Sequence, residues 1–405
     1  MSPEYWTVNQ HTIPASHIRG FSRGAKDEST AHLRLAVKQY VPKSGKESQL
    51  NAITVIMAHG VGSSKELCEP LFDELLHCLL PIRAIWAMDT AHHGASYILN
   101  EDAIGDEPHW FDSSRDMFQM INYFQEQMPS PIIGIGQSLG AITISMLAVW
   151  HPRLFSAIIS MEPMFGLTYL AGNRDEDKAN AQTKRKTQLF VNRKDTWSSR
   201  EAARKHLQAN PLYGAYDPRV FERVIQYDLR DVPSGLEVSP AVTLTTPKTM
   251  ELYTILRADP PLSGFPEAPD YGTRTADDVI VPGFHRGERS YVVNNLQHLL
   301  PPVLYLWGAL SGYANSDYSN SILRQTGIGL GGNGGFAAGK VTEAIVEGAH
   351  HQIPLEKPAA AAQAIAPWLR KQISIWEQEA DRRKTEAPFA VKSFAPEWVA
   401  RVSKL

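Results

Sequence analysis

Cysteine is scarce in this sequence, with only Cys68 and Cys78 among 405 residues. Both lie in ELCEPLFDELLHCLL, which reads as part of one amphipathic helix over 65–80. The ten positions between them span ~15 Å of helix, whereas a disulfide needs Cα atoms within about 7 Å. A bridge within that helix is therefore excluded, and both thiols read as small apolar side chains in a reducing compartment. Long apolar runs are also missing: none reaches the roughly eighteen residues of a membrane-spanning helix. Charge of one sign is lacking too, with 40 basic against 43 acidic residues and a net charge of −3. That balance excludes the basic footprint of a nucleic-acid binder. The first residues, MSPEYWTVNQHTIPASH, lack the charged-then-apolar pattern of a secretory signal.

What is present is material for a sizeable core, since 43% of the residues are hydrophobic. LRLAVKQYVP (33–42) alternates as an early strand does. AITVIMAH (52–59), RAIWAMD (83–89), PIIGIG (131–136) and FSAIISMEP (155–163) are short apolar runs with helical patterns between them. Continuous apolar runs suit strands buried on both faces, and the strand–helix alternation predicts an α/β, mostly parallel, doubly wound sheet. The rhythm stops after 163 and resumes with PPVLYLWG (301–308), EAIVEG (343–348) and a long helix at 357–381. The expected division is a core of 1–163 and 300–381, a large helical lid inserted at 164–299 after the strand ending at Glu162, and a tail at 382–405. An insertion there covers the carboxyl ends of the strands, where such sheets bind ligands. Gly and Pro residues at 260–273 would permit a hinge.

GIGLGG (327–332) matches G-x-G-x-x-G in form. A dinucleotide fingerprint joins the first strand of a βαβ unit to its helix, and this one comes late, so it reads as a Gly-rich loop. Gly136-Gln137-Ser138-Leu139-Gly140 is different. A buried strand ends at Gly136 and a helix begins just after Ser138. That context makes G-x-S-x-G a nucleophile elbow, a strained turn that lifts the serine hydroxyl clear of the sheet. A serine hydroxyl needs a base, an orienting acid and a site for the oxyanion. The backbone N–H of Leu139 supplies one oxyanion donor, and that of Val61 in the His59-Gly60-Val61-Gly62 loop supplies the second. The base comes late in the chain, and VEGAHHQIPLEKP (346–358) offers His350 and His351. His351 is preferred, with His350 packing against the lid. No Cys, Asp or Glu stands near them at zinc-ligand spacing, so neither metal nor cofactor is expected. For the acid, Glu162 ends the strand beside the elbow, and Asp317 follows PPVLYLWG nine residues past Gly308. Glu162 is the nearer candidate; both stay open on spacing alone.

The elbow GQSLG, the HGVG loop followed by KELCEPL, the segment from Trp110 to Asp116 and the late GAHHQIPLEK together resemble fungal α/β-hydrolases of secondary-metabolite clusters. These include toxin-biosynthesis hydrolases and the peroxisomal acyl-CoA hydrolase of the mycophenolic acid pathway. The resemblance covers most of the chain and is weakest in the lid and tail. It implies the α/β-hydrolase fold and a Ser138–Glu162–His351 triad, with glutamate where the acyl-CoA hydrolase has aspartate. It implies cleavage of a natural-product acyl-CoA thioester or of an ester. A lactone hydrolase, a cyclase or condensation catalyst, and a ligand-binding protein on the same fold are the rival readings. The basic run at 184–205 (Lys184, Arg185, Lys186, Arg193, Lys194, Arg200, Arg204, Lys205) could meet CoA phosphates or be a solvated helix face. The sequence ends Ser403-Lys404-Leu405, the S-K-L address read by the peroxisomal import receptor, on a tail that reads as extended. The matrix of the peroxisome is the expected location.

Overall fold

The computed structural model describes residues 5–27, 29–43, 52–165, 184–185, 187–232, 241–258, 279–281, 284–386 and 393–405. Its centre is an eight-stranded sheet. The strands are β1 (Trp6–Pro14), β2 (Arg34–Pro42), β3 (Ile53–Ala58), β4 (Ile82–Met88), β5 (Ile132–Gln137), β6 (Ala157–Met161), β7 (Val303–Gly308) and β8 (Val341–Val346). Their spatial order is β1-β2-β4-β3-β5-β6-β7-β8. β1 and β2 are antiparallel to their neighbours, and every pair from β4 to β8 is parallel. The α/β expectation is thus borne out. The apolar runs of β3, β5, β6 and β7 are buried at every residue, as strands covered on both faces must be. Along β3 the side chains alternate between two cores. Val55 and Met57 join one, and Ile56 and Ala58 join the other.

Helix α1 (Glu69–His77) and the long helix Pro358–Lys384 close the first core, through Leu71, Leu75, Ile365 and Leu369. Helices α3 (Trp110–Tyr123) and α4 (Leu139–Trp150) close the second, while the short α2 (Gly94–Asn100) lies beside β2. Every residue of α4 from Leu139 to Ala148 is buried, which explains why this helix carries almost no charge. The expected helix over 65–80 is α-helical only from Glu69. Residues Lys65–Cys68 form a tighter 3-10 turn, and Pro70 sits in the first turn of α1, where its missing N–H costs nothing. Cys68 and Cys78 flank α1 and are both free thiols.

Between β6 and β7 the chain leaves the sheet. The described part holds helices Arg200–Gln208, Pro218–Tyr227 and Lys248–Ile255 and two three-stranded sheets of very short strands. The expected insertion is therefore more than helical. It seats on the core where helix Pro218–Tyr227 meets the turn Lys65–Cys68. Helix Glu288–Asn295 already belongs to the sheet-flanking layer, since its Val292 and Val293 pack in the same core as α4. The segment 260–273, with its Gly and Pro residues, lies outside the described residues. The tail is not extended throughout: Pro396–Val402 forms a helix with no buried residue. Among the described residues no helix is long and apolar enough to cross a membrane.

Candidate active site

Three chain segments converge at the carboxyl ends of β5, β6 and β8. Ser138 occupies the turn between β5 and α4, at φ 55° and ψ −114°. That left-handed backbone is strained for any residue with a Cβ. The surroundings hold it: the Ser138 N–H donates to Met161 O at 2.9 Å, and α4 starts at the next residue. The turn demands glycine at 140, where a Cβ would stand 2.1 Å from the Ala58 carbonyl oxygen on β3. Glycine at 60 serves the same closeness from the other side. A Cβ there would lie 2.1 Å from Gln137 Oε1 and 3.3 Å from Ser138 Cβ. The His59–Gly62 loop therefore runs directly beside the serine. Neither the Val61 nor the Leu139 amide finds an acceptor among the described residues.

His351 and Glu162 complete the constellation. His351 Nε2 stands 3.0 Å from Ser138 Oγ, and its Nδ1 stands 3.2 Å from Glu162 Oε2. A carboxylate only accepts, so Nδ1 carries the proton and Nε2 is the lone pair facing the serine hydroxyl. Glu162 is fully buried, and its second oxygen accepts the Gly308 N–H at 2.7 Å. That bond fixes the carboxylate plane. Tyr318 steadies the segment after it, donating to Pro163 O and accepting from the Phe165 N–H. Asp317, the alternative acid, is exposed in the first turn of helix Asp317–Gln325 and makes no bond to His351. The geometry therefore brings Ser138, His351 and Glu162 together and leaves Asp317 out.

His350 departs from its expected place against the lid. It is exposed and donates its backbone N–H to Glu356 Oε2 at 2.8 Å, with its Nδ1 3.0 Å from the same oxygen. Glu356 Oε1 also accepts the Gln352 N–H at 3.0 Å. One buried carboxylate thus holds the backbone on both sides of His351. Gln137 holds it from the sheet, donating from Nε2 to His351 O at 3.1 Å. Sequence reasoning missed both roles, although Gln137 is the variable position of G-x-S-x-G and Glu356 stands in the late PLEK motif. Tyr313 was missed as well; its ring meets that of His351 edge-on at 6.3 Å between centroids.

Four of the eight residues of the basic run are committed to ion pairs within the insertion. Arg193 pairs with Glu251, Arg200 with Asp231 at 2.8 Å, Arg204 with Glu222 at 2.5 Å and Lys205 with Glu201 at 3.8 Å. Lys184, Arg185 and Lys194 are exposed, and Lys186 lies outside the described residues. The formal G-x-G-x-x-G lies between helix Asp317–Gln325 and β8, not between a strand and a helix. Among the described residues no group of side chains could hold a metal ion.

Comparison with known proteins agrees with this geometry. The Hydrolase_4 family model, described as serine aminopeptidase S33, matches residues 51–222. The type I acyl-CoA thioesterase mpaH of Penicillium roqueforti (strain FM164) is 34% identical over 93% of this chain and 90% of its own length. The abhydrolase domain-containing protein ACTT2-1 of Alternaria alternata is 26% identical over 62% of this chain and 87% of its own. Among solved structures, the peroxisomal α/β-hydrolase Lpx1 of Saccharomyces cerevisiae superposes with a TM-score of 0.67. It is 14% identical and covers 99% of this chain and 96% of its own, a likeness of fold. Sheet order, strained serine turn and near-full-length similarity agree: the chain is a hydrolase enzyme and belongs to the α/β-hydrolase family that includes these fungal acyl-CoA thioesterases.

Proposed function

We propose that this protein is a serine hydrolase that cleaves the acyl-CoA thioester of a natural-product acid, using Ser138, His351 and Glu162. The observation that carries the chemistry is the pair of contacts at His351, 3.0 Å to Ser138 Oγ and 3.2 Å to Glu162 Oε2. Similarity to relatives named as acyl-CoA thioesterases supports the leaving group. Ser138 Oγ attacks the thioester carbonyl while His351 Nε2 takes its proton. Glu162 holds the imidazole in the Nδ1–H tautomer and offsets the charge it gains. The Val61 and Leu139 amides stabilise the oxyanion. Collapse expels the CoA thiolate, which takes up the His351 proton, directly or through solvent. His351 then deprotonates a water that attacks the acyl-serine, and the proton returns to Ser138 Oγ as the free acid leaves. The segment between β6 and β7 acts as the lid over this site. No step calls for a metal or a cofactor.

The test is intact-protein mass spectrometry after mixing with a panel of acyl-CoAs and p-nitrophenyl esters, alongside Ser138→Ala. A Ser138-dependent acyl adduct, with CoA released faster than nitrophenol, is the expected result. Turnover of esters alone would reassign the chain as an esterase, and no adduct or turnover would overturn the reading. We also propose import into the peroxisome matrix through Ser403-Lys404-Leu405, whose residues are all exposed beyond helix Pro396–Val402. A fluorescent fusion carrying this C-terminus should appear in peroxisomes, and deletion of the last three residues should leave it in the cytosol. Equal distribution of the two would refute the assignment.

A further inference from the structure

We infer that His59 is a positioning residue for the oxyanion site, holding the Gly60–Val61 peptide so that the Val61 N–H faces the reacting carbonyl. This rests on the reading of Val61 as an oxyanion donor. His59 is 4% exposed and both ring nitrogens are engaged. Nδ1 lies 2.8 Å from Gly60 O, and Nε2 lies 3.1 Å from the backbone nitrogen of Thr90. A carbonyl oxygen only accepts and a backbone N–H only donates. The two partners together therefore require the neutral imidazole with its proton on Nδ1, since a proton on Nε2 would face the Thr90 N–H. Burial favours the same state, pushing the His59 pKa below the ordinary value.

The consequence reaches the site through one rigid unit. In a trans peptide the C=O and the following N–H point in opposite directions within one plane. Drawing the Gly60 oxygen toward His59 turns the Val61 N–H away from His59. The Gly60 position lies against the Ser138 side chain, where a Cβ would come within 3.3 Å of Ser138 Cβ. The donor is thus set beside the nucleophile. Glycine at 60 leaves this peptide free to rotate, so an outside anchor is needed, and the Nδ1–H···O bond is that anchor.

The experiment compares His59→Leu, His59→Asn and His59→Gln with the natural protein, using p-nitrophenyl butyrate turnover and fluorophosphonate labelling of Ser138. Asparagine can place an amide N–H near the Nδ1 position, whereas glutamine extends past it. Loss of one oriented oxyanion donor lowers kcat by about 10²–10³-fold, so His59→Leu should lose that much while KM stays within about threefold. His59→Asn should stay within about tenfold of the natural kcat, and His59→Gln should fall at least about tenfold below His59→Asn. If the leucine variant does not fold, the asparagine–glutamine comparison carries the test. Independently, ¹⁵N-histidine NMR of the natural protein at pH 7 should show His59 as the Nδ1–H tautomer. An Nε2–H or charged His59, equal kcat in the asparagine and glutamine variants, or a loss carried by KM would overturn the proposal. If Ser138→Ala hydrolyses the ester as fast as the natural protein, or Ser138 is not labelled, the hydrolase reading fails and this one with it.

Discussion

Glu162, the acid that the proposed mechanism assigns to the triad, is held by its surroundings within reach of His351. Glu162 adopts φ 47°, a left-handed conformation that L-residues avoid. Its N–H is fixed by Leu306 O at 3.0 Å, and its Oε1 is fixed by the Gly308 N–H. The carboxylate is therefore aimed by β7 rather than by its own strand. Glu162→Gln should preserve the fold, because the amide oxygen can still accept from Gly308. The NH₂ group would then face His351 Nδ1 and favour the wrong tautomer, so kcat should fall by about 10³–10⁴-fold with little change in melting temperature. Steady-state kinetics with thermal unfolding checks it; a fall of less than about tenfold would remove Glu162 from the triad.

At the scale of elements, the close packing of α4 against β3 sets the geometry of the serine turn. Gly140 lies so near β3 that a Cβ would also stand 2.7 Å from the His59 carbonyl oxygen. Both neighbours are backbone and cannot rotate aside. Gly140→Ala should cost about 1–3 kcal/mol or more and lift α4 off the sheet, lowering activity beyond what the stability loss explains. Urea unfolding with kinetics on the remaining folded protein measures both; an unaltered midpoint would show that the helix can shift freely. The elements visible in the sequence were those with one strong physical signature. β3, β5, β6 and β7 showed as apolar runs because both of their faces are covered. β1, Trp6–Pro14, was missed because an edge strand buries only some of its residues and its WTVNQHTIP is mostly polar. The small sheets of the insertion, built from strands such as Thr196–Trp197 and Val242–Leu244, are too short for any period to register. In the site, Ser138 and His351 stood in motifs whose chain order is informative. Glu356 acts through contacts four and six positions away, to Gln352 and His350, and Gln137 through one 214 positions away, to His351; no familiar sequence pattern announces either role.

Over the whole molecule, three buried histidines tie acid stability to the site. His59, His92 and His93 cluster below the loop beside Ser138, with ring centroids of 5.6 Å between His59 and His93 and 4.7 Å between His92 and His93. Nε2 of His92 and of His93 has no hydrogen-bond partner among the described residues, so neither ring has an acceptor there to support a proton. Burial, aided by Arg19, holds the His92 pKa down to about 3, and burial with neighbouring histidines holds His93 well below its ordinary range. For a base with a depressed folded-state pKa, the unfolded chain binds the proton first. Stability is therefore complete above pH ~6.5 and falls as the pH drops from there toward the folded value. Each such histidine contributes a slope of about 1.4 kcal/mol per pH unit inside that window. Urea unfolding at pH 7.5, 6.5, 5.5 and 4.5 should show the stability falling below pH 6.5 faster than carboxylates alone would cause. His92→Gln, which cannot take up that proton, should reduce the slope by about 1.4 kcal/mol per pH unit between pH 6 and 4, while the carboxylate contribution stays common to both proteins. Parallel curves for the two proteins across that interval would mean that His92 is protonated in the folded state after all. The cluster would then not be what limits the molecule at acid pH.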